Sequence, residues 1–217
     1  MKDIQKLLRN LKSLEGPYLK FDPKNVPSNP IELFQEWFHI AIKNGVHEPH
    51  AMTLSTINKL GHPDARVLIL KDIDEDGWYF ASSSNSMKGQ QLKVTPNVSL
   101  TFYWSLIGRQ VRIRGTSLKV GKERSAKDFL ERGKLARAIA LVGKQSKVLA
   151  DSKELDELLI KQMERMKSEA DIVDPHWCLY KVTASEVEFW QGDRERKHTR
   201  LLYRKENNKW IQELLWP

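Results

Sequence analysis

The sequence predicts a mainly β protein with flanking helices, an α+β fold built on an antiparallel barrel. Between about residues 51 and 120, five short runs rich in β-branched and aromatic residues follow one another: AMTLSTIN, ARVLILKDI, GWYFASS, NVSLTFYW and RQVRIRGTSLKV. Turn signals such as DEDG and TPN separate them, and most of the gaps are too short for a crossover helix, so the strands should pair antiparallel and close into a barrel. Segments of helical period lie before and after this block.

The elements follow in order. Residues 1–27 read as a loosely organised N-terminal leader, a short amphipathic stretch and then the Pro-rich GPYLKFDPKNVPSNP. Residues 28–217 form the domain. Its first helix starts at SNPIELFQEWFHIAIKNG, where Ser28 or Asn29 can cap, Pro30 suits the first turn and Gly45 can end it. Leu33, Phe34, Trp37, Phe38 and Ala41 make its apolar stripe. In NVSLTFYW, Val98, Leu100, Phe102 and Trp104 share one face, and in RQVRIRG, Gln110, Arg112 and Arg114 alternate with Val111 and Ile113. Two helical regions come next: KERSAKDFLERGKLARAIALVG, with a break at Gly133, and DSKELDELLIKQMERMKSEA. Asp151 and Glu154 resemble a capping box there, and Leu155, Leu158, Leu159, Met163 and Met166 form the stripe. The chain ends in strands: CLYKVTASEVEFWQG, RKHTRLLYRK and KWIQELLWP.

Composition narrows the function classes. With 40% hydrophobic residues, seven Trp and seven Phe in 217 residues, the chain can bury a core. No apolar run approaches the roughly 20 residues that span a bilayer, and MKDIQKLLRN has charges where a signal peptide has its apolar region, so no membrane partner and a cytoplasmic location are expected. Cys178 is the only cysteine, which excludes an internal disulfide and a thiolate metal cluster; the six His residues show no H-x-x-x-H pair, and no metal site is expected. The net charge of +8 invites a nucleic-acid reading, but Lys and Arg are spread along the chain, with no zinc-finger spacing and no RNP-like motif. No nucleic-acid partner is expected; small phosphorylated ligands suit the charge equally well.

Several stretches bear chemistry. In FWQGDRERKHTR, a strand's period of two puts Arg196, His198 and Arg200 on one face, either a solvated edge or an anion site. In ARVLILK, Arg66 faces one side and Lys71 the other. In SSSNSMKGQQL, the hydroxyls of Ser82 to Ser86 precede Lys88 near a helix start, a set suited to phosphate or simply a serine-rich loop. No Walker pattern and no G-x-G-x-x-G occurs. In GKQS, Gln145 and Ser146 follow a helix.

In order and together, ARVLILKD, TPNVSLTFYW, RQVRIRG, KQS, EFWQG followed by R-x-H-x-R-x-x-Y, and the terminal WIQELLWP resemble the pyridoxamine 5'-phosphate oxidase family, over a span from about NPIELFQEW to Pro217. The resemblance implies a Greek-key split β-barrel homodimer with FMN in a groove between subunits. It implies FMN contacts from Arg66, Val67, Leu68, Ile69, Leu70, Lys71, Ala81, Ser82, Met87, Lys88, Gln110, Gln145, Ser146, Trp190 and Arg200. Lys71, Arg132, Arg196 and His198 would hold the substrate, with Arg196 and His198 as the catalytic pair. The implied reaction oxidises C4' of pyridoxamine or pyridoxine 5'-phosphate to the aldehyde and reduces O2 to H2O2. A related oxidase of the phenazine-biosynthesis type, or a non-catalytic flavin or B6 binder, are the alternatives. The chain departs from the family pattern in three places. Met87-Lys88 stands for the usual Arg-Lys. Asp128, Arg132 and Ala136 stand where the pattern has Tyr, Arg and Ser. The N-terminal Arg-x-x-Tyr is not evident.

Overall fold

The structure, a computed structural model, describes residues 2–217. Its elements are α1 (Lys2–Asn10), α2 (Pro30–Lys43), β1 (Ala51–Ile57), β2 (Pro63–Asp74), β3 (Gly77–Ser83), α3 (Met87–Val94), β4 (Asn97–Trp104), β5 (Arg109–Lys119), α4 (Lys122–Leu130), α5 (Lys134–Val142), α6 (Ser152–Ser168), β6 (Trp177–Gln191), β7 (Thr199–Glu206) and β8 (Lys209–Leu214). The sheet runs β3-β2-β1-β4-β5-β6-β7-β8, and β3 also pairs with β6, so six strands close the expected antiparallel barrel while β7 and β8 continue from β6.

Local chemistry explains the element ends. The Asn29 side chain accepts from Ile31 N and Pro30 opens α2, while Gly45 follows it at φ +73°. The expected break at Gly133 separates α4 from α5. Asp151 caps α6 by accepting from Lys153 N.

The chain folds as two compact units. One comprises Met1–His50, Thr101–Ile113 and Glu186–Pro217. Its core sets α2 against the strands: Phe34 meets Phe102 with ring centroids 5.0 Å apart, and Trp37 meets Phe189 at 5.2 Å. Each such buried aromatic contributes roughly 1.5–3 kcal/mol over exposure. The leader is more ordered than the sequence suggests. Phe21 packs edge-on against Trp37, Tyr18 lies over Gly108, and the Pro27 carbonyl accepts from Tyr203 Oη at 2.7 Å. Its Pro and polar residues gave no periodic signal, because these contacts are single anchors on distant elements.

The second unit comprises Ala51–Leu100 and Arg114–Ser185. Met52, Leu54, Trp78, Phe80, Leu100 and Val182 fill it, and Phe80 stacks on Tyr180. Gly115 allows a close strand contact, since a Cβ there would sit 2.1 Å from Thr183 O. The register between β2 and β3 shifts between Leu70 and Asp72, so Lys71 is the extra residue of a β-bulge. A bulge re-aims its side chain, and here that side chain is Lys71.

Candidate active site

A cavity of about 630 Å³ in the second unit gathers much of the predicted site. Val67, Leu68, Ile69 and Lys71 of β2, Ala81 and Ser82 of β3, Arg132 and Gln145 all line it, together with Ile139, Leu155, Leu158 and Trp177. Alternation along β2 leaves Val67 65% and Ile69 38% exposed, an apolar face suited to a flat ring. Leu70 and Ala136 are not among the lining residues. Ser146, at φ +70°, accepts from Met87 N at 3.4 Å, which ties the KQS turn to the start of α3.

A second cluster in this unit surrounds Arg66 and Lys88. Arg66 donates to Thr56 Oγ1 at 2.6 Å and to Leu54 O at 3.2 Å, and forms an ion pair with Asp64. Gln91 donates to Asp64 Oδ2 at 3.0 Å and holds Asp64 in place; that bond and Arg66 keep the Asp64 carboxyl below its ordinary range. Ser86 caps α3 by accepting from Gly89 N at 3.2 Å. Lys88 is buried, and burial first and the Arg66 charge second push its ammonium below the ordinary 10.5. A buried lysine and a half-buried arginine with one carboxylate beside a capped helix start make a place for an anion. Thr56, Asp64 and Gln91 were missed by sequence reasoning, because they come from β1, from β2 two residues before Arg66, and from α3, and form no motif together.

Beside the cavity, Asp128 is buried and engaged on both oxygens. Lys71 Nζ lies 3.0 Å from Oδ1, and Trp177 Nε1 donates to Oδ2 at 2.8 Å. The Arg132 guanidinium stacks on the Trp177 ring at 3.9 Å, and burial lowers its proton affinity against the opposing charges of Asp128 and Asp174. Its Nη1 is enclosed without a hydrogen-bond partner.

The first unit carries Gln110, Trp190, Arg196, His198 and Arg200. The expectation that Arg196, His198 and Arg200 share a strand face is corrected: β7 begins only at Thr199, and Arg196 sits in a turn at φ +67°. Asp193 causes this. Its Oδ1 accepts from Glu195 N at 2.8 Å and Lys197 N at 3.2 Å, local bonds that compete with the sheet ladder. Asp193 N donates to His198 Nδ1 at 3.1 Å, and the His198 ring packs on Trp190 at 4.9 Å. Nδ1 therefore accepts, and the proton of the neutral ring is on Nε2. Arg200 donates to Glu188 Oε1 at 2.8 Å and to Trp216 O at 2.9 Å, and Glu188 also pairs with Arg112. The buried Glu188 went unrecognised, since its place on β6 carries no signal beyond strand alternation.

Comparison with known proteins decides the family. Residues 38–191 match the pyridoxamine 5'-phosphate oxidase family, and residues 177–217 match the pyridoxine 5'-phosphate oxidase C-terminal dimerisation region. The chain belongs to the pyridoxamine 5'-phosphate oxidase family. A pyridoxine/pyridoxamine 5'-phosphate oxidase of Pseudomonas paraeruginosa is 40% identical over 195 residues, 89% of this chain and 91% of that protein. Another, from Hydrogenovibrio crunogenus, is 36% identical over 214 residues, covering 96% and 99%. Among solved structures, PhzG from Burkholderia lata in complex with tetrahydrophenazine-1-carboxylic acid superposes with TM-score 0.85 at 28% identity, covering 93% of this chain and 98% of that one. An FMN-binding protein from Nostoc punctiforme, 17% identical with TM-score 0.69, shares the fold. Among the described residues, no helix is long and apolar enough to cross a membrane.

Proposed function

We propose that the protein is an FMN-dependent oxidase of reduced, anionic ring compounds, with pyridoxine and pyridoxamine 5'-phosphate as its first candidate substrates. The observation that carries the flavin half is the Arg66–Lys88 cluster: a buried lysine destabilised by burial and by a neighbouring guanidinium is relieved by a phosphate. Bound FMN would supply a two-electron acceptor for the substrate carbon, with O2, reduced to H2O2, as the final oxidant. The chain's own residues bind and orient. Arg66, Lys88 and the Ser86 cap would hold the FMN phosphate, and Val67, Ile69, Ala81 and Ser82 would line the ring. Lys71 and Arg132 would meet the substrate's anionic group. Arg196 and the Nε2–H of His198 would orient the substrate ring, which is the larger part of what they can contribute. Gln110, Trp190 and Arg200 would complete the site in a homodimer, in keeping with the match to a dimerisation region.

Purified protein should be yellow and dimeric, and it should release peroxide with pyridoxamine 5'-phosphate. Protein that stays colourless after reconstitution with FMN overturns the proposal. A second reading keeps the flavin and changes the substrate to a carboxylated ring. Asp128, already bonded to Lys71, favours it.

A further inference from the structure

We infer that Asp128 is a specificity-determining residue that narrows this site's preference for a phosphomonoester dianion over a singly charged carboxylate. The inference rests on the proposal that Lys71 and Arg132 face the substrate's anionic group.

Two cations, Lys71 and Arg132, line this end of the cavity. Asp128 cancels one of them. It is buried beside the cavity, with Oδ1 3.0 Å from Lys71 Nζ and Oδ2 accepting from Trp177 Nε1 at 2.8 Å, so both of its oxygens are engaged. What remains is Arg132, pinned over the Trp177 ring with Nη1 enclosed and unpartnered. An enclosed donor without a partner asks for an acceptor, and one cation balances one negative charge. A dianion would face the same Arg132, whose charge is already opposed by Asp128 and Asp174. By Coulomb's law it would feel twice the attraction of Arg132 but also twice the repulsion of Asp128, and its second charge would be desolvated without a free cation to pair it. Other charged groups on the cavity do not restore the balance: Lys144 is paired with Glu154, and Lys147 is exposed, where solvent screens it.

The alternation of apolar and charged positions gave no hint of this. Asp128 lies on α4 and Lys71 at the bulge of β2, and the two meet only in the folded chain.

The test uses FMN-loaded protein and reads perturbation of the flavin absorbance. Its three probes do not turn over: 4-deoxypyridoxine, 4-deoxypyridoxine 5'-phosphate and phenazine-1-carboxylate. In the wild type, adding the phosphate should improve binding of the pyridine by less than about tenfold, since one of two cations is cancelled. Asp128→Asn keeps the size and an acceptor for Trp177 but frees Lys71. It should tighten the phosphorylated probe about tenfold or more and change the carboxylate by less than about threefold. A wild-type gain from the phosphate of a hundredfold or more overturns the inference, and that measurement needs no variant. So does an Asp128→Asn protein that binds the phosphorylated probe no better, or that shifts both anionic probes equally. If the flavin is bound and responds to none of the three, the reading of the cavity as a ring-substrate site fails, and the inference falls with it.

Discussion

The backbone amide of Asp193 donates to Nδ1 of His198 at 3.1 Å, while the Asp193 carboxylate caps the turn between them. One residue thus fixes both the ring orientation of His198 and the left-handed turn that holds Arg196. Asp193→Ala should lower kcat/KM about tenfold by loosening that turn, whereas Asp193→Asn, which keeps an acceptor, should stay near wild type. Equal losses in both variants would count against the cap, and the Nε2–H tautomer of His198 can be checked by nitrogen NMR.

Arg196→Ala and His198→Ala should leave FMN content nearly unchanged. For Arg196 the loss in kcat/KM should be on the order of 2 kcal/mol or more, because a charge-assisted contact disappears. A matching drop in bound FMN would move Arg196 from substrate to cofactor.

Removing the guanidinium of Arg66 should weaken FMN by roughly 1.5–3 kcal/mol in equilibrium titration, the range for hydrogen bonds to a charged group. Asp64, Thr56 and Gln91 hold Arg66 in place, so Gln91→Ala should give a smaller loss in the same assay.

Lys88 links stability to pH. Because burial and Arg66 depress it, the folded chain binds fewer protons there than the unfolded chain between its lowered value and 10.5. Stability of the FMN-free protein should therefore rise with pH through that window. Buried Tyr203 and Tyr180 bound the gain, since their raised values favour unfolding once pH passes about 10. FMN affinity should fall as pH rises through the same window, as Lys88 loses the proton that attracts phosphate. Urea midpoints of the FMN-free protein that stay flat or fall as pH rises towards 10.5 would refute the assignment.

At Gly89, a Cβ would sit 2.5 Å from Ser83 O and 2.7 Å from the Ser84 backbone, so Gly89→Ala should push the serine loop off α3. A loss of about 1–3 kcal/mol in stability is expected, together with reduced FMN content.

The sequence by itself determined the barrel, the α2 cap, the break at Gly133 and the family, because each rests on local periodicity, capping chemistry or motif order. It also named the cavity-lining residues Val67, Leu68, Ile69, Lys71, Ala81, Ser82, Arg132 and Gln145. The charge state of the site was decided only by the tertiary structure. Whether Lys71 and Arg200 are free to meet a ligand depends on Asp128 and Glu188, which lie on another element or on a strand paired across the sheet, while Arg66 pairs with Asp64 of its own strand and is held by Thr56 from the next. The turn at Arg196 was hidden for a related reason: a period of two describes a strand, but the hydrogen bonds of Asp193 keep residues 193–198 out of the ladder. Periodicity reports which face a side chain occupies in a regular element. The partner it finds there depends on packing between elements far apart in the chain.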